Sequence, residues 1–387
     1  MTGADPRAWR LRQGFERRCT SRRPPKRKTL RPARPYGGLV VSDGFADSML
    51  ESPVGVALLA RLESQTRNRP AHGLVVDSPQ DAVNAAADAI HDMSFGELLE
   101  QAVLAGEDVG PWISDATTTA ASAYRHAEQR APIARALNDR FGVALHAGID
   151  RDAQQWWTTE LSAFSLNLTA PLFRRFEHVY DAGQFTWAGL WTATDPPGVA
   201  HSDMIDAWEL YPGPVTRWHL PVLPEARVFE IHRPADWARL VIEHPREAAS
   251  HLEYWELPSA NQNQAELSAL MTLPGQRAAR THIRRHLVPD WRSVADHYDG
   301  VHLSWAGFIT AEGCITDLDG GDVTMLRYWS SERTHWLADV FGEPEPAPPP
   351  SSGRPQLTNQ STGANDARTD SDRRRHDVQS LTRLLGR

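Results

Sequence analysis

Residues 289–304, PDWRSVADHYDGVHLS, predict a short helix that runs directly into a strand. Asp290 is suited to cap the helix, because its carboxylate can accept backbone N–H groups of the first turn. Trp291 and Val294 follow at the spacing of one helix face. Gly300 is then expected to end the helix.

The second half of this stretch has the period of a strand, in which successive side chains point to opposite faces. Apolar Val301, Leu303 and Trp305 alternate with polar His302 and Ser304. A strand is therefore predicted over residues 301–309. An earlier copy of the helix half, PADWARLV at 234–241, follows the strand-like segment 227–231.

Upstream, from about residue 43 to 160, apolar residues recur with a helical period. Ser78 followed by Pro79 predicts a helix start, and Ser94 with Glu97 has the spacing of a capping box. Further helices are predicted over 114–129 and 132–141, and one that begins at Asp152 and carries Trp156 and Trp157.

After about residue 160 the period changes to two, and prolines and glycines punctuate the runs. The predicted strands are 164–168, 173–179, 185–192, 215–220, 227–231, 252–257, 301–309, 323–329 and 334–337. The predicted helices among them are 235–243, 264–271, 276–286 and 290–297. This pattern indicates an α+β fold with a mostly antiparallel sheet.

Four segments are predicted along the 387 residues. Residues 1–37 form a basic disordered arm, 38–160 a helical domain, 161–342 an α+β domain rich in tryptophan, and 343–387 a disordered tail rich in Pro and Ser. Twelve of the 14 tryptophans lie between Trp156 and Trp336, so the third segment is expected to have a large core or an aromatic cleft.

Composition places limits on compartment and source. The chain has two cysteines, Cys19 and Cys314, and neither an 18-residue apolar run nor the apolar region of a secretory signal. We therefore expect a cytoplasmic protein with no membrane span, no disulfide and no cysteine metal site. The strong preference for arginine over lysine favours an actinobacterial source.

The arm carries a dense group of cations between Arg17 and Arg34. Clustered cations release counterions from phosphates, which predicts a nucleic-acid partner. A solvated tail, or translation that begins downstream near Val40 or Met49, accounts for the same residues. The net charge of −8 disfavours polyanion binding by the rest of the chain.

Three groups of polar residues resemble metal or acid–base sites. His282 and His286 are four apart on the helix predicted over 276–286, but arginines lie between them, and no metal is expected. DLDGGD at 317–322, which holds Asp317, Asp319 and Asp322, lacks the longer ligand pattern of a calcium loop and favours a hairpin turn. His302 lies near Asp296, His297 and Asp299 and is a candidate catalytic base.

Several short motifs in the order found here resemble proteins of actinobacteria and their phages that have no established activity. The motifs are GLWTAT at 189–194, the DW and YDGV of residues 290–301, and a tryptophan-flanked segment at 328–336. The resemblance spans roughly residues 170–340 and implies no particular chemistry.

The same set also resembles the ADP-ribosyltransferase-like fold, which binds NAD between a first-strand Arg or His, a middle-strand Ser or Thr and a late Glu. The resemblance implies Arg175 or His178 at the first position, Thr192 or Thr194 at the middle one and Glu332 at the late one. We expect His178, Thr192 and Glu332 to be catalytic, and Arg175, Trp191, Thr194 and His302 to bind the cofactor. Glu332 would stabilise the cationic transition state as nicotinamide leaves. The chain departs from that family in lacking a Ser-Thr-Ser run and a Glu-x-Glu pair.

Three functions therefore remain open. An NAD-consuming transferase or glycohydrolase predicts converging polar groups in a cleft. A non-catalytic module that binds a protein partner predicts an exposed apolar patch instead. A nucleic-acid-associated protein predicts salt-sensitive binding through residues 1–36.

Overall fold

The computed structural model of the chain describes residues 44–68, 78–109, 116–158, 190–194, 216–247, 284–318, 320–326, 329 and 331–347. Within these residues the fold is α+β, as predicted. The basic arm lies outside them, as do residues 159–189, which include the predicted boundary at 160/161.

In the part of the chain that the structure describes, the first half contains six α-helices: α1 (Phe45–Glu51), α2 (Pro53–Asn68), α3 (Pro79–Ala89), α4 (Phe95–Asp108), α5 (Ala116–Tyr124) and α6 (Ala131–Leu145). The predicted caps are confirmed. Ser78 accepts the N–H of Asp81 at the start of α3, and Ser94 and Glu97 form a reciprocal capping box at the start of α4.

A seven-stranded sheet follows, in the order β11–β3–β1–β2–β10–β7–β4. Its strands are β1 (Gln154–Thr158), β2 (Leu190–Thr194), β3 (Thr216–His219), β4 (Val228–Ile231), β7 (Gly300–Leu303), β10 (Arg333–Trp336) and β11 (Glu345–Pro346). All neighbours are antiparallel except β4 and β7. The sheet is therefore mostly antiparallel, as expected.

A second sheet has four strands in the order β5–β6–β9–β8: β5 (Pro245–Glu247), β6 (Arg285–Pro289), β9 (Asp322–Met325) and β8 (Ile315–Asp317). β8 and β9 form the hairpin predicted from DLDGGD, with positive φ at Gly320 and Gly321. Asp322 accepts bidentate hydrogen bonds from both Arg284 and Arg285.

Three helices lie among the described residues of this half: α7 (Pro234–Glu243), α8 (Trp291–Ala295) and α9 (Trp305–Ala311). Asp290 caps α8 as predicted, by accepting the N–H groups of Arg292 and Ser293. Every residue of α9 is buried. Ser52 donates to the carbonyl of Ile309, 257 positions away, so α9 joins the helical half to the sheet. One continuous hydrophobic core contains residues of both halves.

Three predicted elements were wrong. Residues 305–309 are helical and not a strand, because Ser304 accepts the N–H of Gly307 and caps α9. The helix expected from Asp152 is strand β1, in which Trp156 pairs with Trp218 of β3. Arg285 and His286, at the end of the helix expected over 276–286, lie on strand β6, and residues 276–283, with His282, lie outside the described residues.

The predicted tail begins inside the fold. Glu345 and Pro346 pair with His219 and Trp218 of β3 at the edge of the large sheet. Residues 348–387 lie outside the described part of the chain. Within that part, no helix has the length and apolar character needed to cross a membrane.

Candidate functional site

One face of the large sheet carries two rows of polar side chains. Register puts Glu230 of β4 opposite His302 of β7, His302 opposite Thr334 of β10, and Thr334 opposite Thr192 of β2. These four residues form the first row. Because the side-chain period of a strand is two, the alternate residues of these strands, such as Trp191 and His335, face the opposite side.

The second row lies one two-residue step further along the same strands. It consists of His232, Ser304, Glu332 and Thr194, and the ring nitrogen Nδ1 of His232 lies 3.0 Å from Oγ of Ser304. Thr194 donates its backbone N–H to both carboxylate oxygens of Glu332, at 3.3 and 3.0 Å. We call the eight residues of the two rows the polar grid.

His302 is the centre of the polar grid. Its ring nitrogens lie 2.5 Å from Oε2 of Glu230 and 3.0 Å from Oε1 of Glu332, and its side chain is almost fully buried. Burial by itself would lower the pKa of His302. The hydrogen bonds and negative charges of the two glutamates outweigh it and raise that pKa to about 9. Both ring nitrogens therefore carry protons at neutral pH and donate to the carboxylates.

The same contact lowers the pKa of Glu230. Burial alone would raise its pKa, but the hydrogen bond and charge of His302, together with the donated N–H of Ile149, hold that pKa below the usual range. The side chain of Glu230 is 29% exposed, against 3% for Glu332. Glu230 is therefore the end of this row that solvent and solutes reach.

Gln154 of β1 fixes the other end of the grid. Its Oε1 accepts the hydroxyls of Thr192 at 2.5 Å and Thr334 at 3.2 Å, and its Nε2 donates to Oγ1 of Thr194 at 2.7 Å. The indole N–H of Trp336 donates to Oγ1 of Thr192 at 2.8 Å. The hydroxyl of Thr192 is thus a donor and an acceptor within the protein, which holds the strands in register.

The opposite face of the sheet is aromatic. Trp191 stacks on His335, with ring centroids 4.5 Å apart and 12° between the planes, and Trp329 contacts Trp191 edge-on at 4.9 Å. Trp291 contacts His335 edge-on, also at 4.9 Å. Trp191 lies next to Thr192 in sequence, and so it lies behind the polar grid rather than in it.

The predicted site residues divide into three groups. Thr192, Thr194, Glu332 and His302 come together in the polar grid, whereas Trp191 is on the other face. Arg175 and His178 lie outside the described residues. Asp299 instead binds Arg227, and His297 Nδ1 lies 3.0 Å from the carbonyl of Ser293, so neither joins His302.

The expected role of His302 changes, and several residues of the site were not predicted. As an imidazolium at neutral pH, His302 is not a catalytic base. Four grid residues and one supporting residue were not predicted as site residues: Glu230, His232, Ser304, Thr334 and Gln154. The one signal for Glu230 was a lone acid between apolar neighbours in RVFEI at 227–231, which alternation places on a strand face.

The polar grid has the chemistry of a site that stabilises a cation. Two carboxylates flank one imidazolium, which leaves one net negative charge in a mostly buried setting. Within the described residues no three His, Cys, Asp or Glu side chains are placed to hold a metal ion. No family model, curated protein or solved structure matches the chain.

Proposed function

We propose that this chain cleaves the bond between nicotinamide and ribose in NAD, passing ADP-ribose to water or to an acceptor. The observation that carries the proposal is the hydrogen-bonded triad Glu230–His302–Glu332, with Glu332 held by the backbone N–H of Thr194. As this bond breaks, its electron pair goes to the pyridinium nitrogen, and positive charge develops on the ribose. A preorganised negative charge stabilises that transition state.

The role of His302 in this chemistry is to keep carboxylates charged where burial opposes charge. A buried carboxyl tends to take up a proton, and then it no longer stabilises a cation. The imidazolium of His302 donates to both glutamates and lowers the pKa of Glu230. Glu230, at the exposed end, is the first carboxylate that a substrate meets.

The distribution of exposed apolar side chains and of polar groups also favours an enzyme over a non-catalytic binding module. Such a module was expected to have an exposed apolar patch and scattered polar groups. Among the described residues, the exposed large apolar side chains are Val143 on α6 and Leu223 between β3 and β4, which are single residues in different elements. The polar groups instead converge on one face of the sheet.

The test is release of nicotinamide from NAD by the full-length chain, followed by chromatography. Glu332→Gln and Glu230→Gln keep the side-chain size and remove the charge, so we expect each to slow release by about 100-fold or more. The matched control is Glu345→Gln, which removes an exposed carboxylate at the far edge of the same sheet and leaves the rate unchanged.

Two outcomes overturn the proposal. One is a wild-type rate no higher than that of buffer alone. The other is an unchanged rate in Glu332→Gln when its near-ultraviolet circular dichroism matches that of the wild type. Addition of arginine- or serine-containing acceptor peptides separates transfer from hydrolysis, because transfer gives an ADP-ribosylated peptide and hydrolysis gives free ADP-ribose.

A further inference from the structure

His232 is a grid residue to which the reaction so far gives no role. It follows β4 directly and lies two residues beyond Glu230, so both side chains face the same side of the sheet. Its ring is half-buried, and the side chain of Ser304 fixes it through the 3.0 Å contact at Nδ1. His232 is therefore an oriented imidazole beside the exposed end of the Glu230–His302–Glu332 triad.

The hydrogen bonds around Ser304 decide which ring nitrogen carries the proton. The hydroxyl of Ser304 donates to the carbonyl of Ile231 at 3.2 Å, and its oxygen accepts the N–H of Gly307 at 3.1 Å. With its proton used in this way, the hydroxyl accepts from Nδ1–H of His232. Nε2 is then left with a free lone pair, which is what a proton acceptor needs.

The charges that face His232 come from four elements or their ends. Glu230 of β4 and Asp236 of α7 favour its protonated form, whereas His302 of β7 and His146 after α6 disfavour it. Burial is the largest effect, and it lowers the pKa of His232 below the ordinary value of 6.5. The ring is thus neutral at pH 7, unlike His302 in the same grid.

We propose that Nε2 of His232 takes the proton from the nucleophile in the NAD cleavage proposed above, on which this inference rests. The bond from ribose C1′ to the pyridinium nitrogen breaks, and its electron pair leaves with neutral nicotinamide. A lone pair of water forms the new bond to C1′, its proton moves to Nε2 of His232, and that proton then passes to solvent. The sum is NAD⁺ and water giving ADP-ribose, nicotinamide and one proton.

The test compares wild type, His232→Gln and the control His126→Gln, which alters an exposed histidine in the turn after α5. Nicotinamide release is measured from about pH 5 to 9, with and without sodium azide. We expect His232→Gln to lose about 100- to 10,000-fold in kcat and to lose the acid limb of the kcat/KM profile. Azide is already anionic and needs no base, so it should restore the rate of His232→Gln at least ~10-fold and yield an azide adduct of ADP-ribose.

The results separate this inference from the proposed function. An active wild type with an equally active His232→Gln overturns the role of His232 alone. A slow His232→Gln that azide does not accelerate also overturns it, because the defect then lies in something other than proton removal. A wild type without activity overturns both proposals together.

Discussion

Nε2 of His302 lies 3.0 Å from Oε1 of Glu332, and the contact joins residues 30 positions apart in the sequence. It crosses diagonally between neighbouring antiparallel strands, because His302 is opposite Thr334 and Glu332 lies two residues before Thr334. Both side chains are nearly inaccessible to solvent. A charged imidazole in such a place is stable because carboxylates flank it on both sides.

Removal of the imidazolium should therefore destabilise the fold. In His302→Gln, the carboxylate of Glu332 stays buried without its cationic partner, and breaking a buried ion pair in this way costs about 3–5 kcal/mol. Urea unfolding at pH 7 measures the loss. His126→Gln, on the surface, should change the free energy of unfolding by less than about 0.5 kcal/mol.

A double variant makes this prediction sharper. In His302→Gln combined with Glu332→Gln, both charges are gone, so the loss should be smaller than the sum of the two single losses. Losses that add within about 0.5 kcal/mol would mean that the two residues do not stabilise each other.

The contribution of His302 should also depend on pH. Its folded-state pKa of about 9 is above the ordinary 6.5, so the folded protein binds the proton more tightly than the unfolded chain does. The stabilisation is complete below pH 6.5 and is lost as the pH rises from 6.5 through 9, by on the order of 3 kcal/mol. The measurement is the difference in unfolding free energy between wild type and His302→Gln at about pH 6, 7.5 and 9. A difference that stays constant over this range would contradict the prediction.

Local signals in the sequence were sufficient for part of this structure. The caps at Ser78, Ser94 and Asp290 were predictable because a side-chain oxygen satisfies backbone N–H groups only a few residues away. The alternation that places His302 and Val301 on opposite faces of β7 is equally local. Elements of this kind need no knowledge of distant residues.

The rest depends on contacts between distant residues. The short apolar segment 305–311 fits a buried helix or a buried strand by its composition, and the choice is made by packing against α1, α2 and the sheet. Glu230 meets His302 across 72 positions, and the register of β4 against β7 that brings them together is not encoded in either segment alone.

His335 should make the protein sensitive to acid. Both of its ring nitrogens are buried without a hydrogen-bond partner, and burial lowers its pKa to about 3. The unfolded chain takes up a proton near pH 6.5, so the stability present above that pH is lost as the pH falls toward 3. His335→Phe keeps a ring against Trp191 and removes the titrating group, and it should shift the midpoint of acid unfolding to lower pH.

His286 provides the comparison for this variant. It is also buried without a hydrogen-bond partner, with a pKa of about 3, but it lies on β6 of the other sheet. His286→Phe should shift the acid midpoint in the same direction, and the double variant should shift it further than either single one. If neither variant shifts the midpoint of acid unfolding, protonation of His286 and His335 does not determine the pH at which acid unfolds the protein.

At Gly307, α9 lies in close contact with the end of β4. A Cβ atom there would lie 2.3 Å from the carbonyl oxygen of Ile231 and 2.7 Å from Cδ1 of Leu303, and backbone oxygen cannot move aside as a side chain can. Gly307→Ala should therefore force α9 away from the sheet and destabilise the fold by about 1–3 kcal/mol or more. That same carbonyl accepts the N–H and hydroxyl of Ser304, so the shift should also release the ring of His232.

Gly342→Ala is the matched control for Gly307→Ala. Thermal unfolding of both variants shows whether the close contact at Gly307 stabilises the fold. A Cβ at Gly342 meets Pro221 at 3.6 Å or more, which is ordinary van der Waals contact, so the change should stay within about 0.5 kcal/mol of wild type. Equal stability of the two variants would mean that α9 has room to move on β4. Since α9 connects the helical half to the strands that carry the polar grid, the close contact at Gly307 would then not be what holds the grid in place.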